Sequence, residues 1–304
     1  MKTPGLSIVI PSYNTARMTL RCCQAVLRSM PDDAEVIVAD DGSRDGTAEL
    51  HQLETPQVRV VRLDINRGFA AAANRGIEAA QGRIILLLNS DTVVETDALH
   101  TILASFNADP RLGIAGARLV NPDGTPQWSG GRTPTLKWMI GVVSGAGHLA
   151  RFFRRAPRSN SGRDIDWVSG AALAFRRDVW KDAGPLDERF LFYCQDIEFC
   201  LRAHAAGWRI RIVEDARVIH ELGGTIAAGN PLRHDPERLW PDLLTWGKLH
   251  YGRSWSAFAQ ITLTIVAILR IGGRIIRRPL RRDATTAALI RATRRLVRGT
   301  RRNE

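Results

Sequence analysis

A Rossmann-like α/β fold with a mainly parallel central sheet is what this sequence of 304 residues predicts. Apolar runs of strand length recur at 6–10, 35–39, 58–63 and 84–88. They are too short for helices and too hydrophobic for exposed strands, as strands buried on both faces of a parallel sheet are. Helical stretches alternate with them over short connections, the β-α-β order of right-handed crossovers. Each run also stops abruptly in polar residues, at the carboxyl edge where open α/β sheets bind their ligands.

The first run, LSIVI, ends at Pro11, Ser12, Tyr13 and Asn14. Residues 15–29 then place Met18, Cys22, Ala25 and Val26 on one helical face. EVIVA at 35–39 runs into Asp40, Asp41, Gly42 and Ser43, and Ser43 or Asp45 is placed to cap a helix starting near Thr47. The strand at 58–63 closes at Asn66, Arg67 and Gly68, and an alanine-rich helix at 69–80 ends by Gly82. GRIILLLNSDTVVE at 82–95 carries the most continuous apolar strand, delivering Asn89, Ser90 and Asp91 at its end. A helix at 96–107, a strand at 114–120 and a turn at 121–124 follow. From 125 to 164 periodicity lapses amid Gly, Pro, Trp and Arg, and such a long irregular stretch in a compact domain is functional or mobile. An apolar stretch at 167–175, a short helix at 178–183 and a loop at 184–192 come next. A helix at 196–206, with Ile197, Cys200, Leu201 and His204 inward, and strands at 209–213 and 216–220 complete the order. The main domain is expected over 1–252, with 253–304 as a separate segment.

Charge separates those two parts. Residues 270–304 hold 12 arginines against two acids, a net +10 of the chain's +12. The main domain is therefore nearly neutral, which argues against nucleic acid as a partner. Cys22, Cys23, Cys194 and Cys200 have neither zinc-site spacing nor disulfide density, so reduced thiols are expected. No signal peptide is expected ahead of Leu6. The window 257–269 is the most apolar, and its thirteen residues span only about 20 Å as a helix against the ~30 Å of a bilayer core. Arg270, Arg274, Arg277, Arg278 and Arg281, and then Arg291, Arg294, Arg295, Arg298, Arg301 and Arg302, follow at helical spacing. Two basic amphipathic helices lying on an anionic membrane surface are expected; a disordered basic tail or a nucleic-acid patch is the bland account.

Acids mark the candidate chemistry. Asp40 and Asp41 end one strand, Asp91 another, and Asp196 begins a helix beside Gln195 and Glu198. A carboxylate at a strand end is suited to a divalent cation that also touches phosphates, although Asn-Ser-Asp equally favours a plain turn. Asp41 reads as a nucleotide contact or as a helix cap, and His220 as a ligand or as a packed surface histidine.

Seven motifs in order resemble the family-two inverting glycosyltransferases of GT-A fold, in particular their bacterial rhamnosyltransferase-like branch. They are SIVIPSYN (7–14), VADDGSRDGT (38–47), NRGFAAAANRGI (66–77), LLLNSDTVV (86–94), WVSGAALAFRRDVW (167–180), GPLDERFLFYCQDIEFCLRAHAAGW (184–208) and VIHELGGT (218–225). The resemblance implies that Pro11, Tyr13 and Asp41 frame the nucleotide base, while Asn66, Gly68 and Asn74 line the nucleotide-sugar pocket. Asn89 and Asp91 take the DXD-like position, with Asp91 and His220 binding Mg²⁺ or Mn²⁺ through the donor diphosphate. Asp196 is implied as general base, and Trp167, Gly170 and Gln195 as acceptor contacts. Trp128, Trp138 and Trp167 are candidates for stacking on acceptor sugars, or equally for core or loop anchors.

The chemistry asks for these types. Leaving-group oxygens that gather negative charge want a cation, and an attacking hydroxyl wants an ionised carboxylate. One base and one metal imply a single displacement with inversion. Gln195 departs from the family's usual Glu, so Asp196 is expected to ionise more readily. The implied function is transfer of rhamnose or a hexose from a nucleotide sugar to a polysaccharide or lipid-linked glycan, at the cytoplasmic face of the cell membrane. The rivals are nucleotidyl transfer, for which the first strand lacks a Gly- and Lys-rich loop, and sugar-nucleotide binding without turnover.

Overall fold

The computed structural model describes residues 4–52, 57–137, 164–190, 192–221, 236–277 and 284–298. Its strands are β1 (Leu6–Ser12), β2 (Ala34–Asp40), β3 (Val58–Arg62), β4 (Ile84–Leu88), β5 (Thr92–Val94), β6 (Leu112–Val120), β7 (Gly130–Gly131), β8 (Trp167–Val168), β9 (Ala172–Arg176) and β10 (Arg209–His220). The helices are α1 (Ala16–Leu27), α2 (Phe69–Ala79), α3 (Ala98–Ala108), α4 (Arg177–Ala183), α5 (Gln195–Ala205), α6 (Pro236–Arg277) and α7 (Ala284–Arg298), with a 3₁₀ helix at Thr47–Gln52.

The chain forms two compact units. One comprises 1–133, 156–188 and 195–225; the other comprises 134–155, 189–194 and 226–304. Within α6, Gly252 takes a non-helical φ of 86° and ψ of 179°, so this stretch is two helical arms, 236–251 and 253–277, joined at a kink.

The first unit is built on an eight-stranded sheet of order β3-β2-β1-β4-β9-β6-β10-β5. Pairs β1–β2, β1–β4, β2–β3 and β6–β10 are parallel, whereas β9 is antiparallel to β4 and β6, and β5 is antiparallel to β10. Because β9 reverses direction between β4 and β6, the carboxyl ends of β2, β4 and β10 still point to one edge. That edge receives Asp40, Asp91 and His220. All five residues of β4 are buried, between β1 and β9, which is why this run carries no polar alternation.

Several expected elements change form. The 167–175 stretch splits into β8 and β9 around Ser169, Gly170 and Ala171. The two strands expected at 209–213 and 216–220 are one strand, bulged where pairing with β6 passes from Val213 to Arg217. The helix foreseen near Thr47 is a 3₁₀ turn whose first amide donates to Asp45 Oδ1 at 3.2 Å. On α5, His204 is exposed and Glu198 is buried. Arg202 reverses that assignment: its Nε donates to Glu198 Oε1 at 2.8 Å, letting the acid turn inward.

A two-stranded pair, β7–β8, closes over β6 and sets where the 169–171 loop leaves. A Cβ on Gly130 would lie 2.4 Å from the Trp167 carbonyl oxygen, so the pair closes only on glycine. Gly130→Ala is therefore expected to destabilise the fold by about 1–3 kcal/mol in denaturant unfolding. Gly131→Ala, whose Cβ would approach only side-chain atoms at 3.4 Å or more, is expected to cost less than about 1 kcal/mol. Equal costs would contradict this account of the pair.

Candidate active site

The end of β4 and the end of β10 meet through strand register. β5 and β10 pair His220 with Thr92, and Glu221 N–H donates to the Asp91 carbonyl at 2.9 Å. This brings His220 Nε2 to 3.3 Å from Asp91 Oδ1. Asp91 Oδ1 nevertheless accepts no hydrogen bond among the described residues, and neither does the enclosed Asn89 Oδ1. Buried carboxylate and amide oxygens left without donors are costly, so they mark a place built for a ligand. A carboxylate oxygen facing an imidazole nitrogen is a donor set that a divalent cation fits, Mn²⁺ with its tolerance of nitrogen more readily than Mg²⁺. No cluster of three or more His, Cys, Asp or Glu is present among the described residues, and Asp91 and His220, with Asn89 beside them, are the groups placed to hold such an ion.

A buried hydroxyl ladder backs this end. Ser90 Oγ lies 3.1 Å from Thr15 Oγ1, which reaches Ser12 Oγ at 2.9 Å and Thr19 Oγ1 at 3.2 Å. Ser90 is thus a support for the Asp91 turn, a role sequence reading left to turn propensity alone.

At the end of β2 the adjacent acids divide their work. Asp40 Oδ1 accepts from Ser43 N–H at 3.0 Å, so Asp40 is the residue that closes the turn after the strand. Asp41 is buried, and its Oδ1 and Oδ2 accept from the Arg67 and Gly68 amides at 2.7 and 2.9 Å. Burial nevertheless pushes the Asp41 carboxyl above its usual range. Gly42 and Gly68 make that closure possible: both sit at positive φ, and a Cβ on Gly42 would lie 2.9 Å from the Ile65 carbonyl carbon. Pro11 is buried within β1, while Tyr13 and Asn66 are exposed beside this clamp in sequence. Asn74 is buried, donating to the Leu186 carbonyl at 2.9 Å and accepting from the Leu186 amide at 2.9 Å. Its amide ties α2 to the 184–188 loop, with Glu188 Oε1 a second acceptor at 3.2 Å.

The start of α5 forms the third wall. Asp196 Oδ2 accepts from Gly170 N–H at 2.9 Å and Oδ1 from Ile197 N–H at 2.8 Å. Burial raises the Asp196 pKa above the usual carboxylate range, and these amides only partly oppose it. With Gln195 uncharged, desolvation alone drives that rise. Cys194, just before α5, holds φ at 68°, a conformation rare for a side chain of this kind and a recurrent mark of functional turns.

Adjacent residues of one loop join these walls. Gly170 holds Asp196, while the Ala171 carbonyl accepts from Asn89 N–H at 3.0 Å. Trp167 is buried with its indole N–H on the Arg132 carbonyl at 2.9 Å, and packs edge-on against Trp128 at 5.0 Å. Trp167 therefore anchors a loop, and the half-exposed ring is Trp128. Gln195 is buried, and Trp138 lies outside the described residues. Sequence reading missed Gln127, whose Oε1 is 3.0 Å from His220 Nδ1; it sits in the stretch without periodicity.

The family model described as "Glycosyl transferase family 2" matches residues 7–184. An N-acetylglucosaminyl-diphospho-decaprenol L-rhamnosyltransferase of Mycobacterium tuberculosis is 27% identical over 240 residues, covering 72% of this chain and 76% of that protein. A poly-beta-1,6-N-acetyl-D-glucosamine synthase of Staphylococcus epidermidis is 26% identical over 213 residues, covering 68% of this chain and 47% of that protein. Among solved structures, the mannosyltransferase PcManGT from Pyrobaculum calidifontis, in complex with GDP-Man and Mn²⁺, has a TM-score of 0.59 at 15% identity, covering 98% of this chain and 88% of that chain. At such identity the likeness speaks for the fold, and the fold is GT-A. The family match takes in strands β1 to β9, the Asp41 clamp, the Asp91 turn and the Gly170 loop, well over half of the sequence, and on that extent the chain belongs to glycosyl transferase family 2.

Proposed function

We propose that this glycosyltransferase moves a sugar from a nucleotide donor to a glycan or lipid-linked acceptor by one inverting displacement, in cell-surface glycan synthesis. The observation that carries the reading is the buried Asp91 Oδ1, facing His220 Nε2 at 3.3 Å yet accepting no hydrogen bond. Asp91 and His220, with Asn89 beside them, would hold Mg²⁺ or Mn²⁺. Bound there with the donor diphosphate, the cation would neutralise charge gathering on the leaving oxygens. The solved relatives with GDP-Man and Mn²⁺, and with UDP, GalNAc and Mn²⁺, support that assignment. The rhamnosyltransferase relative supports rhamnose, and the poly-N-acetyl-D-glucosamine synthase a hexose-derived sugar, as the group moved, with dTDP-rhamnose and a UDP-hexose as the donors to test.

The chain's own residues do the rest. Asp41, with Pro11, Tyr13, Asn66 and Gly68 around it, would receive the nucleotide through the lone pairs its backbone clamp leaves free. Asn74 would act by fixing the 184–188 loop. Gly170 aims Asp196, which takes the acceptor hydroxyl's proton as that oxygen bonds to the anomeric carbon and the carbon–phosphate oxygen bond breaks. The proton ends on Asp196, and the nucleoside diphosphate leaves. A pKa raised by burial makes Asp196 a stronger base once ionised. Trp128, Trp167 and Gln195 would border the acceptor.

Attachment to the cytoplasmic face of an anionic membrane is part of this proposal. Beyond Gly252, α6 exposes Phe258, Ile261, Ile265, Ile268 and Leu269 along one face, while Ala259, Leu263 and Ala267 are buried on the other. The helix is long and apolar enough to cross a bilayer by length and composition, so the shortness expected of 257–269 does not decide the matter. Packing argues for lying on the surface. Arg291 of α7 pairs with Glu237 at 2.6 Å, and Gln260 donates to the Leu296 carbonyl, so α7 packs against both arms of α6 with Arg291, Arg294 and Arg295 exposed. A spanning α6 would take those arginines into hydrocarbon.

Two outcomes are expected. Asp196→Asn should lower kcat by about 10²–10⁴ with nucleotide binding unchanged. In the wild type the acid limb of kcat/KM should lie above the ordinary aspartate value of about 3.9, because the ionised form is needed and is lost as pH falls through the raised pKa. Undiminished turnover by a folded, donor-binding Asp196→Asn would remove Asp196 from the mechanism. For the membrane, Ile261→Asp combined with Ile265→Asp should weaken binding of the full chain to phosphatidylglycerol vesicles about a hundredfold or more, from the burial two isoleucines lose. Unchanged binding would move attachment away from α6.

A further inference from the structure

We propose that Gln127 is a positioning residue: it fixes the tautomer and tilt of His220 so that an unprotonated Nε2 faces Asp91 and the cation. The inference rests on the reading of Asp91 and His220 as cation ligands.

Gln127's amide orientation follows from what surrounds it. One terminal atom lies 2.6 Å from the His220 carbonyl oxygen and 2.8 Å from Asn121 Oδ1. A backbone carbonyl only accepts, so that atom is the amide nitrogen, Nε2, donating to both. The other atom, Oε1, is left 3.0 Å from His220 Nδ1. An amide oxygen only accepts, so Nδ1 carries the hydrogen. In a neutral ring the lone pair then resides on Nε2, the atom 3.3 Å from the Asp91 oxygen that accepts no hydrogen bond. A lone pair against a carboxylate oxygen is repulsive without a positive charge between them.

The orientation is secured further out. Asn121 Nδ2 donates to Thr125 Oγ1 at 2.8 Å, and Thr125 Oγ1 donates to Asp123 Oδ1 at 2.6 Å. These bonds from Thr125 hold the Asp123 carboxyl below its usual range, so the chain ends on an acceptor at neutral pH. The backbone is held as well: Gly124 N–H donates to the Asn121 carbonyl at 2.8 Å, Asn121 N–H to the Thr125 carbonyl at 2.8 Å, and Gln127 N–H to the Leu119 carbonyl at 2.9 Å. Every hydrogen in the relay from Asp123 to His220 has one direction. The glutamine thus grips a single residue twice, by its carbonyl and by its ring, and fixes which nitrogen looks into the site.

The test reads the ring before it reads the metal. Long-range ¹H–¹⁵N spectra of the full-length protein at neutral pH, with His220 assigned by the loss of its signals in His220→Asn, should show protonated Nδ1 and unprotonated Nε2. Gln127→Met should mix the tautomers, and Gln127→Glu, which keeps an acceptor at Nδ1, should retain the wild-type form. Mn²⁺ titrated alone and with UDP, followed by electron paramagnetic resonance, should bind Gln127→Met about 10–100-fold more weakly than wild type, as loss of a partner behind a ligating histidine does. A wild-type ring protonated at Nε2 would overturn the inference without recourse to any variant. So would a Gln127→Met protein that keeps the tautomer and binds Mn²⁺ within twofold of wild type while Asp91→Asn loses it. If Asp91→Asn binds Mn²⁺ as wild type does, the cation site itself falls, and with it the role given to Gln127.

Discussion

Two hydrogen bonds from neighbouring residues hold the site together. The Ala171 carbonyl accepts from Asn89 at the end of β4, and the Gly170 amide donates to Asp196 at the start of α5. The first belongs to the sheet, because β9 begins at Ala172 and pairs antiparallel with β4. The second would aim the proposed base, Asp196. A displacement needs the leaving group and the base held in fixed relation, as small misplacements cost rate steeply. In the proposed reaction that relation would be carried by two adjacent residues of a loop pinned at both ends by strands, β8 and β9.

Electrostatics follow from that geometry. Asp41 and Asp196 are both lifted above the usual carboxylate range by burial, each against two backbone amides that favour the ionised form. Asp91 has no such donors at its Oδ1. One carboxylate is therefore clamped by a loop, one is held by a loop, and one is left with an oxygen that accepts no hydrogen bond among the described residues. The neutral hydroxyls of Ser12, Thr15, Thr19 and Ser90 stabilise the turn beneath it without supplying the opposing charge.

Much of this was legible in the residues themselves. A run such as ILL between Ile84 and Leu88 has only one place in an α/β domain, so the strand, its burial and the polar end at Asp91 are read directly. What pairs with that end is not. His220 reaches Asp91 through the register of β10 on β5, a long-range pairing that no local pattern encodes. Adjacent Asp40 and Asp41 look alike in sequence, yet one closes its own turn and the other clamps the 67–68 loop, because successive strand residues face opposite ways. Gln127 left no signal at all, whereas the burial of Glu198 was available from its i, i+4 relation to Arg202 and was passed over in favour of His204.

The account stands on Asp91 as the carboxylate that joins cation to donor. Melting temperatures of wild type and Asp91→Asn, each with UDP- and dTDP-sugars in the presence and absence of Mn²⁺, test it most directly. A donor should raise the wild-type melting temperature with a part that requires Mn²⁺, and Asp91→Asn should lose that part alone. The same Mn²⁺-dependent rise in Asp91→Asn, or none with any donor in the wild type, would contradict the account.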